Sequence, residues 1–287
     1  MIRRGIALII MLLGSGCASF GRTDGSTDLL RLKAEQDRML RERMAASDES
    51  QRRPMSALGM ARLLVQQGKF DLAAGYVERA VADEPKNPEA AYLEGVVRRQ
   101  RHELPPAKAA FERAVKLAPK MADAYDALGQ VANLAGDHER AVEHYRQALA
   151  IRPGHPPYLN DLGFAHYLLG QIDQAVAAYN DALAVAPTVP LYHNNLGFAF
   201  GRAGRFADAF REFRLGGNEA TAYNNLGFVY QSRGEAREAV KMYAEALRSD
   251  PRLGRAYQNL VQTCAQLPAG ESACGGVAPP ELAEVRP

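Results

Sequence analysis

Residues 157–187 read PYLNDLGFAHYLLGQIDQAVAAYNDALAVAP. Apolar residues recur three and four apart on both sides of Gly170, which is the spacing of a helix face. The glycine between the two runs is the residue that most easily lets a chain reverse. Pro187 ends the second run, because it lacks an N–H and its ring clashes with the turn before it. The stretch is expected to form helix, turn, helix.

The arrangement repeats. Prolines stand at Pro85, Pro119, Pro153 and Pro187, each 34 residues after the last, and again at Pro251. A second series gives Gly95, Gly129, Gly163, Gly197 and Gly227, and a third gives Ala73, Ala107, Ala141, Ala175, Ala209 and Ala239. Turn glycines recur at Gly68, Gly136, Gly204 and Gly234, with His102 in the equivalent place of the second unit. Small residues within a helix let a partner helix approach, and the bulky Tyr125, Phe111, Tyr145, Tyr179, Phe213 and Tyr243 are expected to fill the space beside them. A period of this length means that stacked units share one continuous core.

Leu-Gly early, Ala in the middle, an aromatic residue four later, Ala three after that and Pro near the end resemble the tetratricopeptide repeat family. The first two units carry Met60-Ala61 and Glu94-Gly95 in place of Leu-Gly, but the period holds. The resemblance implies an all-α fold, a right-handed superhelix (α-solenoid) of six helix-turn-helix repeats. They are placed at 54–87, 88–121, 122–155, 156–189, 190–219 and 220–253, with a capping helix at 254–267.

NNLGF occurs at 194–198 and again at 224–228, with NDLGF at 160–164, so the second interval is four residues short of the first. The unit from 190 reads REFRLGGNEATAY where others carry a proline. Its second helix is expected to end at Gly216-Gly217, a turn early, bringing the last unit in at a changed angle while preserving the face that Asn224 and Phe228 present.

On the first helices, Leu162, Leu196 and Leu226 pack inward with their glycines, which places Asn160, Asn194, Asn224 and Phe164, Phe198, Phe228 together on another face. The family resemblance makes this second face the concave groove, and Tyr167 and Gln231 extend the stripe while Gly201 interrupts it. Asparagine amides can pair with the backbone of an extended peptide while the phenylalanines take its apolar side chains. The alternative is that the phenylalanines are partly buried between neighbouring helices. Asn195, Asn225 and Asn259 are read as bonding backbone or water.

The chain opens MIRRGIALIIMLLGSGC, a basic start, an apolar run at 6–13 and small residues before Cys17. Spanning a bilayer takes ~20 apolar residues, so the run reads as an export signal. The small residues before cysteine resemble the lipobox of bacterial lipoproteins, although Gly14 stands where that family usually has leucine. The resemblance implies removal of 1–16, acylation of Cys17 and, with Ala18 following, a destination at the outer membrane facing the periplasm. Cleavage as an ordinary secretory signal is the alternative. Residues 17–53 are polar and read as a tether spanning roughly 30–36 Å, with a docking helix as the alternative. Residues 268–287 are Pro/Gly-rich and are expected to be disordered. In an oxidising compartment Cys264 and Cys274 are candidates for a disulfide, with two unpaired thiols as the alternative.

Basic and acidic residues number 35 and 33, and without Arg3 and Arg4 of the leader they are equal, so charge does not point to nucleic acid. The six histidines stand at no metal-ligand spacing, and there is no H-E-x-x-H, P-loop or G-x-S-x-G. The expectation is a protein without catalytic activity, cofactor or metal. Its partner is expected to be a protein or peptide, and its only membrane link the lipid on Cys17. The layout resembles bacterial pilus-assembly lipoproteins, the Tad/Flp pilus lipoprotein and the type IV pilus pilotin. That resemblance implies a secretin or pilus component as partner; an adaptor for envelope enzymes and a self-associating scaffold are the alternatives.

Overall fold

The computed structural model describes residues 55–267 together with Glu35, Arg38, Met39, Glu42 and Cys274. The leader, Cys17, the other residues of the tether and the rest of the tail lie outside the described residues. Within 56–287, a single compact unit, the described residues form thirteen helices and no strands.

The first pair is α1 (Ala57–Gln66) and α2 (Phe70–Asp83); the second, α3 (Pro88–Gln100) and α4 (Leu104–Leu117). Then come α5 (Ala122–Leu134) with α6 (His138–Ile151), and α7 (Pro156–Leu168) with α8 (Ile172–Val185). The last pairs are α9 (Pro190–Arg202) with α10 (Phe206–Leu215), and α11 (Glu219–Ser232) with α12 (Ala236–Ser249), followed by α13 (Gly254–Cys264). Each helix packs on its partner and on the first helix of the next pair, the contact pattern of an α-solenoid.

Two markers in the sequence have direct steric causes. A Cβ on Gly95, Gly129, Gly163, Gly197 or Gly227 would meet the ring of Phe111, Tyr145, Tyr179, Phe213 or Tyr243 at 2.5–2.7 Å, so the ring occupies the space where a side chain would stand. The alanines of the second helices, Ala73, Ala107, Ala141, Ala175, Ala209 and Ala239, are fully buried. Tyr125 is not one of the clasping rings. It is half-buried against Ala122, Ala148 and Tyr158 in a separate cluster. In the turns the glycines adopt positive φ, and His102, at 59°, does so without being a glycine, a conformation that costs a side-chain-bearing residue on the order of 1 kcal/mol.

Helix α10 has ten residues where the other second helices have fourteen. Its end is held by close approach: a Cβ on Gly216 would lie 2.8 Å from the Asn194 side chain and from the Pro190 carbonyl oxygen. Asn218 then starts α11 at once with a capping box, its side chain accepting from Thr221 N at 2.8 Å while Thr221 Oγ1 accepts from Asn218 N at 2.9 Å. Beside this junction buried His193 places Nδ1 2.9 Å from Glu212 Oε2 and Nε2 2.9 Å from the Pro187 carbonyl oxygen. That pair ties the α8–α9 turn to α10.

The C-terminal end is closed covalently. Cys264 and Cys274 form a disulfide with Cα atoms 5.8 Å apart. The two cysteines and Leu267 pack against Val240, Tyr243 and Leu260, covering apolar surface at the end of the described repeats.

Candidate functional site

The asparagines of the first helices form a ladder between repeats. Asn195 Nδ2 donates to Asn160 Oδ1 at 2.8 Å, Asn225 Nδ2 to Asn194 Oδ1 at 3.3 Å, and Asn259 Nδ2 to Asn224 Oδ1 at 3.0 Å. The sequence separations along these rungs are 35, 31 and 35, and the middle value is shorter by the four residues missing from α10. The missing turn therefore leaves the ladder in register.

The ladder corrects the peptide-contact role expected for the asparagines. Asn160 and Asn224 are only 6% and 5% exposed, and their amides also donate to Asp161 and Asn225. Asn194 is half-buried, accepts from Asn225 and donates to the Gly216 carbonyl at 3.2 Å. Buried amides need partners, and here the neighbouring repeat supplies them before any ligand can. Asn195, Asn225 and Asn259, expected to bond backbone or water, instead bond side chains one repeat away. Gln231 is likewise engaged, its oxygen accepting from the Tyr243 hydroxyl at 2.7 Å, and it does not line the groove cavity.

The aromatic stripe remains open. Phe164 and Phe228 are 42% and 52% exposed. Phe198 between them is half-buried, with its ring edge-to-face on Phe228 at 6.0 Å and on Phe213 at 4.9 Å. Phe164, Tyr167, Tyr179, Asn195, Phe198 and Phe228 enclose a cavity of about 200 Å³. Of the expected groove residues the structure thus brings together Phe164, Tyr167, Phe198 and Phe228, and adds Asn195 and Tyr179. Tyr167 is held from behind by Arg202, whose guanidinium lies 5.0 Å from the ring and donates to the Tyr167 carbonyl at 2.6 Å.

A second cavity of about 360 Å³ adjoins the first, with Phe164 as a shared wall and Arg99, Gln130, Asn133, Tyr145 and Asp161 among its other lining residues. These polar residues were not singled out from the sequence, although the signal was there. Gln130 stands one 34-residue period before Phe164, and Asn133 one period before Tyr167. Here the ladder changes chemistry, because Asp126 and Asp161 occupy the two rung positions that carry asparagine in later repeats. Two carboxyls cannot bond as two amides do, and Gln130 Nε2 bridges them, donating to Asp126 Oδ2 at 2.9 Å and to Asp161 Oδ2 at 3.0 Å. Burial, reinforced by the charge of Asp161, pushes the Asp126 carboxyl up to about 8. Burial also raises Asp161, against hydrogen bonds from Asn160 and Gln130 that favour its ionised form.

Models of the tetratricopeptide repeat match residues 58–105, 98–156, 132–196 and 220–249, together more than half of the chain. Among solved structures, one described as PilW, a widely conserved type IV pilus biogenesis factor, superposes with a TM-score of 0.60 at 19% identity over 71% of this chain and 96% of that one. The APC/C hetero-tetramer Cut9-Hcn1 gives 0.58 at 20% identity over 77% of this chain, which spans 45% of the chain it matches. YrrB, described as a TPR protein with an unusual peptide-binding site, gives 0.50 at 18% identity over 67% of this chain and 98% of that one. No curated protein matches. At these identities the structural likeness is one of fold, and with the repeat matches it places the chain in the tetratricopeptide repeat family.

Proposed function

We propose that this protein is a lipid-anchored periplasmic scaffold whose groove holds a peptide segment of a partner protein, in the assembly of a pilus or secretion system. The observation that carries the binding role is the cavity bounded by Phe164, Tyr167, Phe198 and Phe228, because exposed rings gathered round a concavity mark an interaction site more often than a packing remnant. The solenoid provides the rigid frame, and binding rather than catalysis is what such a surface performs. Three further observations support the cellular setting. The leader and Cys17 resemble a lipoprotein signal. The Cys264–Cys274 bond suits an oxidising compartment. PilW, a pilus biogenesis factor, shares the fold.

The test is crosslinking in the native cell followed by mass spectrometry, with the wild-type chain beside Phe198→Ser and Phe228→Ser. A secretin or pilus component captured by the wild type and lost from both variants is the expected result. Equal capture by the variants would remove the groove from the reading, and peptidoglycan hydrolases as the captured proteins would replace the pilus with an envelope-enzyme role. Cys17→Ser should release the protein from the membrane fraction. Retention there would overturn the anchor.

A further inference from the structure

The groove changes character along its length. Around Phe198 its walls hold no charged residue, whereas the larger cavity has Asp161 and Arg99 in its walls and Asp126 beneath them. Arg99 does not neutralise the acidic rung by direct pairing, since its guanidinium donates to Gln130 Oε1, and the Gln130 amide alone bridges the two carboxyls. Asp126 Oδ1 is buried without a hydrogen-bond partner among the described residues. Both carboxyls are shifted toward the neutral form by burial, and Arg99 offsets only part of this. An opposite charge within ~4–6 Å reverses such a shift, because it stabilises the ionised form.

We infer that the groove selects a peptide segment in which a lysine or arginine lies about three to six residues from an aromatic or branched aliphatic residue, the cation seated against Asp161 and the apolar group among Phe164, Phe198 and Phe228. The spacing follows from the shared Phe164 wall. It puts the cavity centres between one and two helix spacings apart, ~10–20 Å, and an extended chain advances ~3.3 Å per residue. This specificity rests on the groove reading above and sharpens it. An acidic segment would bring like charge to a cavity that has Asp161 in its wall, and a wholly apolar one would leave Asp161 with amide donors alone and no cation bonded to it.

A random peptide library displayed on phage and selected against the purified full chain, the Asp161→Asn variant and the Phe198→Ser variant tests it. Circular dichroism should show all three folded. Wild type should enrich peptides with the basic and apolar residues at the stated spacing, Asp161→Asn should lose the basic preference while keeping the apolar one, and Phe198→Ser should enrich neither. In a synthesised binder, changing its lysine to glutamate should weaken binding at least tenfold to wild type and far less to Asp161→Asn. Peptides enriched on wild type for the apolar residue alone would overturn the charge preference and leave the groove standing. Acidic peptides would assign Arg99 as the recognising group and overturn the inference outright. No enrichment on wild type would remove both readings.

Discussion

Asn195 donates its side-chain amide to Asn160 at 2.8 Å, from one repeat to the one before it. The contact makes a residue that looks like a ligand group into part of the stacking interface, and it separates stability from binding along a single face. Asn160→Ala leaves the Asn195 amide without its acceptor and should destabilise the fold by about 1–3 kcal/mol in urea unfolding. Phe228→Ser, at an exposed ring, should cost about 1 kcal/mol or less yet abolish peptide capture. The reverse ordering would return Asn160 to the ligand site.

Gly216 has no room for a side chain. A methyl group there would press on the Asn194 side chain and on the Pro190 backbone carbonyl, each 2.8 Å from the Cβ position. Because backbone cannot yield as a flexible side chain does, Gly216→Ala should cost roughly 1–3 kcal/mol. Gly204→Ala, where the space is open but φ is positive, should cost through backbone strain alone, about 1 kcal/mol. Thermal unfolding of the two variants distinguishes close packing from conformation as the requirement.

Much of this was legible in the sequence. The period could be read because its markers answer to repeated contacts, ring against glycine in five units and buried alanine of the second helix in all six. The short α10 announced itself as an interval of 30 residues in place of 34. The phenylalanine stripe was legible because the same bulky apolar residue recurs directly after the glycine in three units, although Phe198 also packs on Phe213 of its own repeat. The burial of Asn160 and Asn224 was not, since helical spacing says which face a side chain takes but not that an amide of the next repeat reaches it. The acidic rung stayed hidden for a related reason. Asp126 and Asp161 hold the places of asparagines, and only the stacked structure shows that those places meet.

His193 and Glu212 are both buried, and the histidine faces an acceptor from each ring nitrogen. His193→Ala would leave Glu212 with Arg211 at 3.7 Å as its remaining ion-pair partner and release the Pro187 turn. A loss of roughly 2–4 kcal/mol is expected, measured by urea unfolding. A change under 0.5 kcal/mol would show that the pair contributes little to holding the α8–α9 turn against α10.

The Asp126 carboxyl is surrounded by Asp123 and Gln130 on its own helix, Arg99 on α3, Tyr145 on α6 and Asp161 on α7. Its native value of about 8 lies above the ordinary 3.8, so the folded state holds the proton more tightly than the unfolded chain. Stability from this group is full below the ordinary value and falls as pH rises from about 4 to about 8, by a few kcal/mol. Asp126→Asn keeps the shape, removes the titration and places an amide opposite Asp161. It should raise the melting temperature at pH 7, with the gain shrinking toward pH 4. A gain independent of pH would mean that the proton is not the cause.

The Cys264–Cys274 bond bears on how the molecule comes apart. A stacked array has no central keystone, and its terminal units, each with a neighbour on one side alone, are where unravelling begins. Here the last helix is stitched to the chain that follows it, while α2 at the opposite end presents Leu72 and Tyr76 to solvent. Oxidation thus ties down the α13 end of the described array. In a reducing compartment that restraint would be lost and unravelling could begin at α13.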